Sequence, residues 1–286
     1  MRNSDDHFIE LRDGRTLCFA QYGDPEGFVV VNAHGGLACR RDVATADAAA
    51  RAAGVRLISP DRPGVGRSDP RPGRTLLDWV DDVSQLLDRL GVARCAAMGW
   101  SMGGQYAAAL GAALRPHVTR VAIIAGALPL TEVGVFEQLP GMPRVLTRLS
   151  QRMPVIARLF FAAMGLTARA FPELYGRLGA RDMGPADAEV LCEDGLAAFG
   201  AMSAEALRQP RGVAEEYRAW ARPWGFAPED VTIPVDVWFG ADDGMVDHRW
   251  PAELARRFPA ASLSVRPGGH LVARRCYPEI FQRLRS

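Results

Sequence analysis

Residues 95–114, CAAMGWSMGGQYAAALGAAL, put a serine between glycines where a short apolar run meets an alanine-rich one. The first run has the length of a buried strand and the second is built of good helix formers, so the stretch predicts strand, turn and helix. At the turn, Gly99-Trp100-Ser101-Met102-Gly103 fits the G-x-S-x-G nucleophile elbow, in which a serine occupies a strained bend and glycines let the backbones close in. The strand aims Ser101 out of the sheet edge, while the helix turns its first amides and positive dipole end toward developing negative charge. The bare pattern arises by chance in roughly one chain in ten of this length at average glycine and serine usage. Its weight therefore rests on the context.

Outward from the elbow, apolar runs alternate with helix-length segments: FVVVNA (28–33), VRLIS (55–59), VAIIAGA (121–127), PVDVWFG (234–240) and SLSVRP (262–267). Such runs suit strands buried on both faces, and their alternation with helices predicts an α/β fold with a mostly parallel sheet and helices on both faces. Ahead of them, FIEL (8–11) and TLCFAQYG (16–23) flank an RDG turn and predict an antiparallel hairpin. Between strands, Leu76, Trp79, Val80, Val83, Leu86, Leu87 and Leu90 recur at helical spacing, with Thr75 as N-cap and Gly91 past the end. From about 129 to 230 the rhythm breaks. Apolar residues there keep helical spacing, and PGMP (140–143), Met153-Pro154, MGP (183–185) and QPRG (209–212) cut the interval into short helices. We expect a core of 1–128 and 231–286 with a helical cap, 129–230, inserted in it. Phe136, Phe160, Phe161 and Phe171 make an apolar wall over Ser101 an expectation for that cap.

A serine hydroxyl is a weak nucleophile at neutral pH and needs a base, itself oriented by a carboxylate. Of five histidines, His270 lies in RPGGHLVA, a glycine-rich loop after the final apolar run, from which it can reach the edge that carries Ser101. WFGADDGMVD, after the preceding run, offers Asp242 and Asp243. His34 opens HGGLACRR and reads as structural, the glycine backbone around it being suited to donate amide hydrogen bonds. His117 reads as a helix-end residue, His248 as a surface residue or a distant competitor for the base, and His7 as tail. Cys39 has no His/Asn partner and reads as a buried thiol.

Composition narrows the class. At 286 residues, 48% hydrophobic and with 34 basic against 33 acidic residues, the chain has no overall pull toward nucleic acid or anionic membrane, although local patches are open. Five scattered cysteines form no CxxC pair, no basic n-region with an apolar stretch opens the chain, and nowhere do eighteen apolar residues run together. We expect a cytoplasmic protein without a membrane span, metal or organic cofactor, and leave its oligomeric state open.

With Ser101, Asp243 and His270 in that order, HGG at 34–36 and DRPGVGRSD at 61–69, the sequence resembles the serine-nucleophile, helical-cap type of the α/β-hydrolase superfamily over nearly its whole length. DRPGVGRS resembles the D-x-x-G-x-G-x-S turn that follows the fourth strand. The resemblance implies an eight-stranded α/β-hydrolase fold, Asp243 as the triad acid, and backbone N–H groups of Met102 and of Gly36, or alternatively Leu37, as the oxyanion hole. Leu37 and Asp247 stand where many relatives carry proline. Leu37, Trp100, Met245 and Leu271 are candidates for the substrate pocket.

The activity so implied is that of a carboxylesterase-like serine hydrolase acting on a small-molecule acyl substrate. Ser101 argues against the dehalogenase and epoxide-hydrolase relatives, which carry aspartate at the elbow. A prolyl-type aminopeptidase, a carbon–carbon bond hydrolase, a perhydrolase and a non-enzymatic small-ligand receptor stay open as alternatives on the same fold.

Overall fold

The computed structural model describes residues 6–286; the first five residues, part of the amino-terminal stretch read for a leader, lie outside it. Eight strands form one sheet: β1 (His7–Glu10), β2 (Thr16–Gly23), β3 (Phe28–Ala33), β4 (Val55–Pro60), β5 (Cys95–Trp100), β6 (Val118–Ile124), β7 (Val235–Gly240) and β8 (Ala261–Arg266). Their order is β1-β2-β4-β3-β5-β6-β7-β8. β1 and β2 pair antiparallel, as do β2 and β4, and every later pairing is parallel. His7 is the first residue of β1, its ring stacked on Phe19 at 5.1 Å, rather than part of a loose tail.

The apolar runs are continuous because alternate residues face different helix layers. Val31, Ala97, Ile123 and Val237 point to one side, where α2 (Leu76–Arg89), α3 (Gly103–Ala113) and α11 (Trp250–Arg257) pack. Val30, Ala96, Met98, Ala122 and Trp238 point to the other, against α1 (Asp47–Ala52) and α12 (Ala273–Arg285). Thr75 caps α2 in a reciprocal box: its hydroxyl accepts the Asp78 N–H at 3.3 Å and the Asp78 carboxylate accepts the Thr75 N–H at 2.7 Å. β6 stops at Ile124, short of the apolar run's end, because Ala125 takes a left-handed φ of 48° and turns the chain out of the sheet.

Between β6 and β7 the chain makes seven helices: α4 (Val135–Gln138), α5 (Gly141–Arg152), α6 (Pro154–Ala170), α7 (Pro172–Met183), α8 (Pro185–Asp194), α9 (Leu196–Ala206) and α10 (Pro210–Trp220). Proline opens four of them, because at the first helical position its missing N–H has no intrahelical partner to lose and its fixed φ already suits the helix.

The strand order also locates the working edge. From β3 the chain moves to β4 on one side, and from β5 to β6 on the other, so the direction of winding reverses between neighbouring β3 and β5. Loops leaving the carboxyl ends of two such strands diverge and leave a crevice, the usual ligand position in open α/β sheets. The loops concerned are HGG after β3 and the serine turn after β5.

Candidate active site

Ser101 follows β5 directly and has a φ of 56°, strained for a residue with a Cβ. Its N–H donates to the Ile124 carbonyl at 2.8 Å and its carbonyl accepts the Gly104 N–H at 2.9 Å, pinning the turn between β6 and α3. The flanking glycines answer to crowding. A methyl group on Gly99 would run into the Gly103 carbonyl, and one on Gly103 into the carbonyl of Ala33 at the end of β3. Three backbones therefore meet at the serine, and Met102 stands at the entry to α3.

The HGG loop is held from beneath. His34 is fully buried, its Nδ1 bonded to the Gly35 carbonyl at 2.9 Å while Nε2 accepts the Arg62 N–H at 3.2 Å. Burial, helped by the Arg62 charge, keeps its imidazole well below the usual histidine range, so it stays neutral and structural. Arg62, from the turn after β4, donates to the His34 carbonyl and to the Gly35 carbonyl at 3.0 Å, and its Nε pairs with Glu216 of α10. Gly35 lies against the Trp100 ring. The Cβ position of Gly36 is 3.2 Å from Met102 Cε and 3.3 Å from the Tyr217 hydroxyl, so Gly36 and Met102 are neighbours. Leu37 has a φ of 53°, which proline, locked near −65°, cannot adopt. This accounts for the absence of proline at that position.

Asp42 accepts the Gly35 N–H at 3.2 Å and the Asn32 amide at 2.9 Å, and burial pushes its carboxyl up to about 6. A folded-state value above the ordinary 3.8 means that the native protein holds this proton more tightly than the unfolded chain. The associated stability is complete below about pH 4 and is lost as pH rises through about 6, by at most about 3 kcal/mol. Asp42→Asn should therefore show a flatter stability curve than the parent between those values in urea titrations at several pH values. Parallel curves would show that Asp42 does not titrate there.

His270 sits after β8. Its Nδ1 is 2.9 Å from Asp243 Oδ2, with the two side chains 5% and 0% exposed. The other Asp243 oxygen accepts the N–H groups of Met245 and Val246 at 2.7 and 3.1 Å, which fixes the carboxylate in place. Asp242 is exposed and points toward the Gly268 N–H at 3.4 Å. Trp100 Nε1 donates to the His270 carbonyl at 2.7 Å, and the two rings lie 5.3 Å apart. The residue beside Ser101 is thus bonded to the loop that carries His270. Neither the Ser101 hydroxyl nor His270 Nε2 has a hydrogen-bond partner among the described residues, so the two side chains do not bond each other in this structure.

Two further carboxylates take part that local sequence did not single out. Asp187, on α8, accepts the His270 N–H at 2.9 Å and the Leu271 N–H at 2.7 Å, and its desolvated carboxyl is raised above the ordinary value. In sequence it reads only as an acid in a helix's first turn. Glu216 is the other, through Arg62. Trp100, Met245 and Leu271 gather in one apolar cluster with Met183, Val190 and Leu191, whereas Leu37 packs on the main core.

The expected phenylalanine wall divides. Phe161 faces inward and stacks on Tyr217 at 5.4 Å, and Phe136 lies under the Arg148 guanidinium at 5.5 Å. Phe160 and Phe171 are exposed on the outer side, α6 being apolar on both faces. His117 and His248 are exposed. Burial raises the Cys39 thiol well above its usual range, and Cys192 is the exposed cysteine. Among the described residues, no three His, Cys, Asp or Glu side chains converge as metal ligands would.

No curated protein sequence matches the chain. Solved structures resemble it over nearly their full lengths at low identity. The enol-lactonase from Burkholderia xenovorans LB400 is 20% identical, with 97% of each chain covered and a TM-score of 0.71. A thermophilic esterase from Thermogutta terrifontis is 21% identical, with 98% of this chain and 97% of the other covered and a TM-score of 0.69. The bromoperoxidase from Bacillus anthracis is 18% identical, with 98% and 100% covered and a TM-score of 0.73. At these identities the likeness is one of fold. The sequence pattern of the alpha/beta hydrolase fold itself matches residues 29–273, from β3 through the serine turn and the seven helices to the start of α12. A match of that extent, on a sheet wound in this order, makes the chain a member of the alpha/beta hydrolase family.

Proposed function

We propose that this hydrolase cleaves small esters or related acyl compounds, in the manner of a carboxylesterase, through a covalent acyl-enzyme on Ser101. The observation that carries the reading is the buried 2.9 Å contact between His270 Nδ1 and Asp243, on a loop tied to the serine turn by Trp100. With its proton on Nδ1, facing the carboxylate, His270 offers Nε2 as the base. Ser101 Oγ attacks the acyl carbon, and its proton passes to Nε2. The carbonyl oxygen becomes an oxyanion that takes hydrogen bonds from the Met102 N–H and the Gly36 N–H, with the Leu37 N–H as the alternative second donor. Collapse expels the alcohol, which leaves with the proton from Nε2. Water activated by the same nitrogen then releases the acid.

The two-part division proposed with this reading is a core of 1–128 and 231–286 and a cap of 129–230. Esterase and enol-lactonase structures among those it resembles support acyl–oxygen bonds as the target. Five cysteines, none of them in a disulfide, support a cytoplasmic site of action. A fluorophosphonate probe tests the reading: it should label the parent on Ser101 and leave Ser101→Ala unlabelled. An unlabelled parent would mean an inert serine in a binding pocket, and would overturn the proposal.

Asp187 acts here as a positioning residue, because it holds the backbone of His270 from the cap. Asp187→Ala leaves two buried N–H groups without acceptors, a cost of about 2–6 kcal/mol. We expect turnover on p-nitrophenyl acetate to fall at least tenfold with KM nearly unchanged, and Asp187→Asn, which keeps one acceptor oxygen, to recover part of it. A change in KM alone would assign Asp187 to substrate binding instead.

A further inference from the structure

The chain as a whole carries a net charge of +1, but its charges are unevenly placed. Residues 141–181, comprising α5, α6 and nearly all of α7, hold seven arginines (Arg144, Arg148, Arg152, Arg158, Arg169, Arg177, Arg181) and one acid, Glu173. Among the described residues only Arg177 of these seven is ion-paired, to Glu173. The remainder of the chain is therefore net negative.

The same helices expose apolar side chains that a water-facing helix would replace with polar ones. α6 buries Ala157, Phe161, Gly165 and Ala168 on its inner face, and its outer face carries Val155, Ile156, Leu159, Phe160 and Leu166. Leu159 is 67% exposed and Leu166 65%. On α7, Leu174 and Leu178 are exposed one helical turn apart, opposite buried Gly176 and Ala180, and Phe171, the residue before the helix, is exposed as well. Both helices pack inward on α9 and its flanks: Gly165 against Leu207, Gly176 against Leu196, Gly179 against the Phe199 ring. Their exposed stripes therefore share the side of the molecule away from α9. Arg158 and Arg169 are eleven residues apart, three helical turns, and so line a single margin of the α6 stripe.

We propose that the outer face of α6 and α7 docks on an anionic lipid surface, its leucines and phenylalanines entering the acyl boundary and its arginines meeting phosphate headgroups. Apolar side chains bordered by arginines, on two helices neither of which alone is long and apolar enough to cross a membrane and which meet at a bend of 119°, are the chemistry of interfacial binding. A second copy of the chain fits less well, since a two-fold contact through this face would set its unpaired arginines against their own equivalents. The consequence for the site is direct. Phe161, on the inner side of α6, stacks on Tyr217, whose hydroxyl lies beside Gly36, so α6 and one aromatic layer separate the docked face from the HGG loop.

Sedimentation of the full chain with vesicles of phosphatidylcholine alone, or mixed with phosphatidylserine, tests this. We expect binding at least tenfold tighter to the mixed vesicles, weakening as salt is raised. The triple variant Arg158→Gln, Arg169→Gln, Arg181→Gln should lose on the order of a hundredfold in partition, at about fivefold per arginine near such a surface. Leu159→Ser, Leu166→Ser, Leu174→Ser should abolish binding to both vesicle types while its circular dichroism and unfolding midpoint show a folded protein. No binding to mixed vesicles, or binding that the leucine variant leaves intact, would overturn the proposal. So would a dimer in sedimentation equilibrium that the leucine variant dissolves without any vesicle binding, which would give the face to a second copy.

Discussion

Ser101→Ala is expected to leave a folded protein whose turnover of p-nitrophenyl esters falls by about a millionfold, the scale seen when the nucleophile of such a constellation is removed. Folding should survive, because Ser101 sets its turn through backbone contacts: its N–H to the Ile124 carbonyl and its carbonyl to the Gly104 N–H, neither of which uses the hydroxyl. Alanine tolerates the φ of 56° no worse than serine does, so the strain in the elbow is unchanged. Circular dichroism and a urea midpoint within about 1 kcal/mol of the parent would confirm that the loss is chemical. An alanine variant that keeps more than a thousandth of the parent rate would remove Ser101 from the mechanism and overturn the acyl-enzyme proposal.

The second largest effect is expected at Asp243. Asp243→Asn should cost about ten-thousandfold in turnover, by analogy with the same change in the serine-protease triad, where the amide stabilises the wrong imidazole tautomer. In the parent, Asp243 Oδ2 accepts from His270 Nδ1, while Oδ1 accepts the Met245 and Val246 N–H groups. An asparagine must keep its oxygen on those two donors, which turns its NH2 toward Nδ1. The imidazole then has to present a lone pair there and carry its proton on Nε2, the atom that should be the base. Asp242→Asn should be nearly silent, because that side chain is exposed and reaches only the Gly268 N–H, at 3.4 Å. Both variants assayed on one ester decide between them. The reverse ranking would move the acid to Asp242, and two mild effects would place it elsewhere in the fold.

What local chemistry sets was legible from the residues. β3 spans Phe28–Ala33, the same six residues as the FVVVNA run, and α2 begins behind Thr75 because the capping box is written in four consecutive positions. The breaks at Pro154, Pro185 and Pro210 fall where the ring removes a donor, and Gly99 is required by the Gly103 backbone four residues on. Such features depend on φ, on side-chain period and on near neighbours, and these a linear chain displays. The tertiary structure alone decided contacts between residues far apart in the chain: Asp187 under the His270 loop, 83 positions away, Glu216 on Arg62 across 154, and Asp243 rather than its neighbour turned toward His270. It also decided which side of α6 faces water, since Phe160 and Phe161 are adjacent and equally apolar, and only the packing on Tyr217 and α9 makes one inner and the other outer. A helix apolar on both faces carries no periodic signal of its inward side, and a carboxylate's partner is chosen by whichever backbone the fold brings within 3 Å of it.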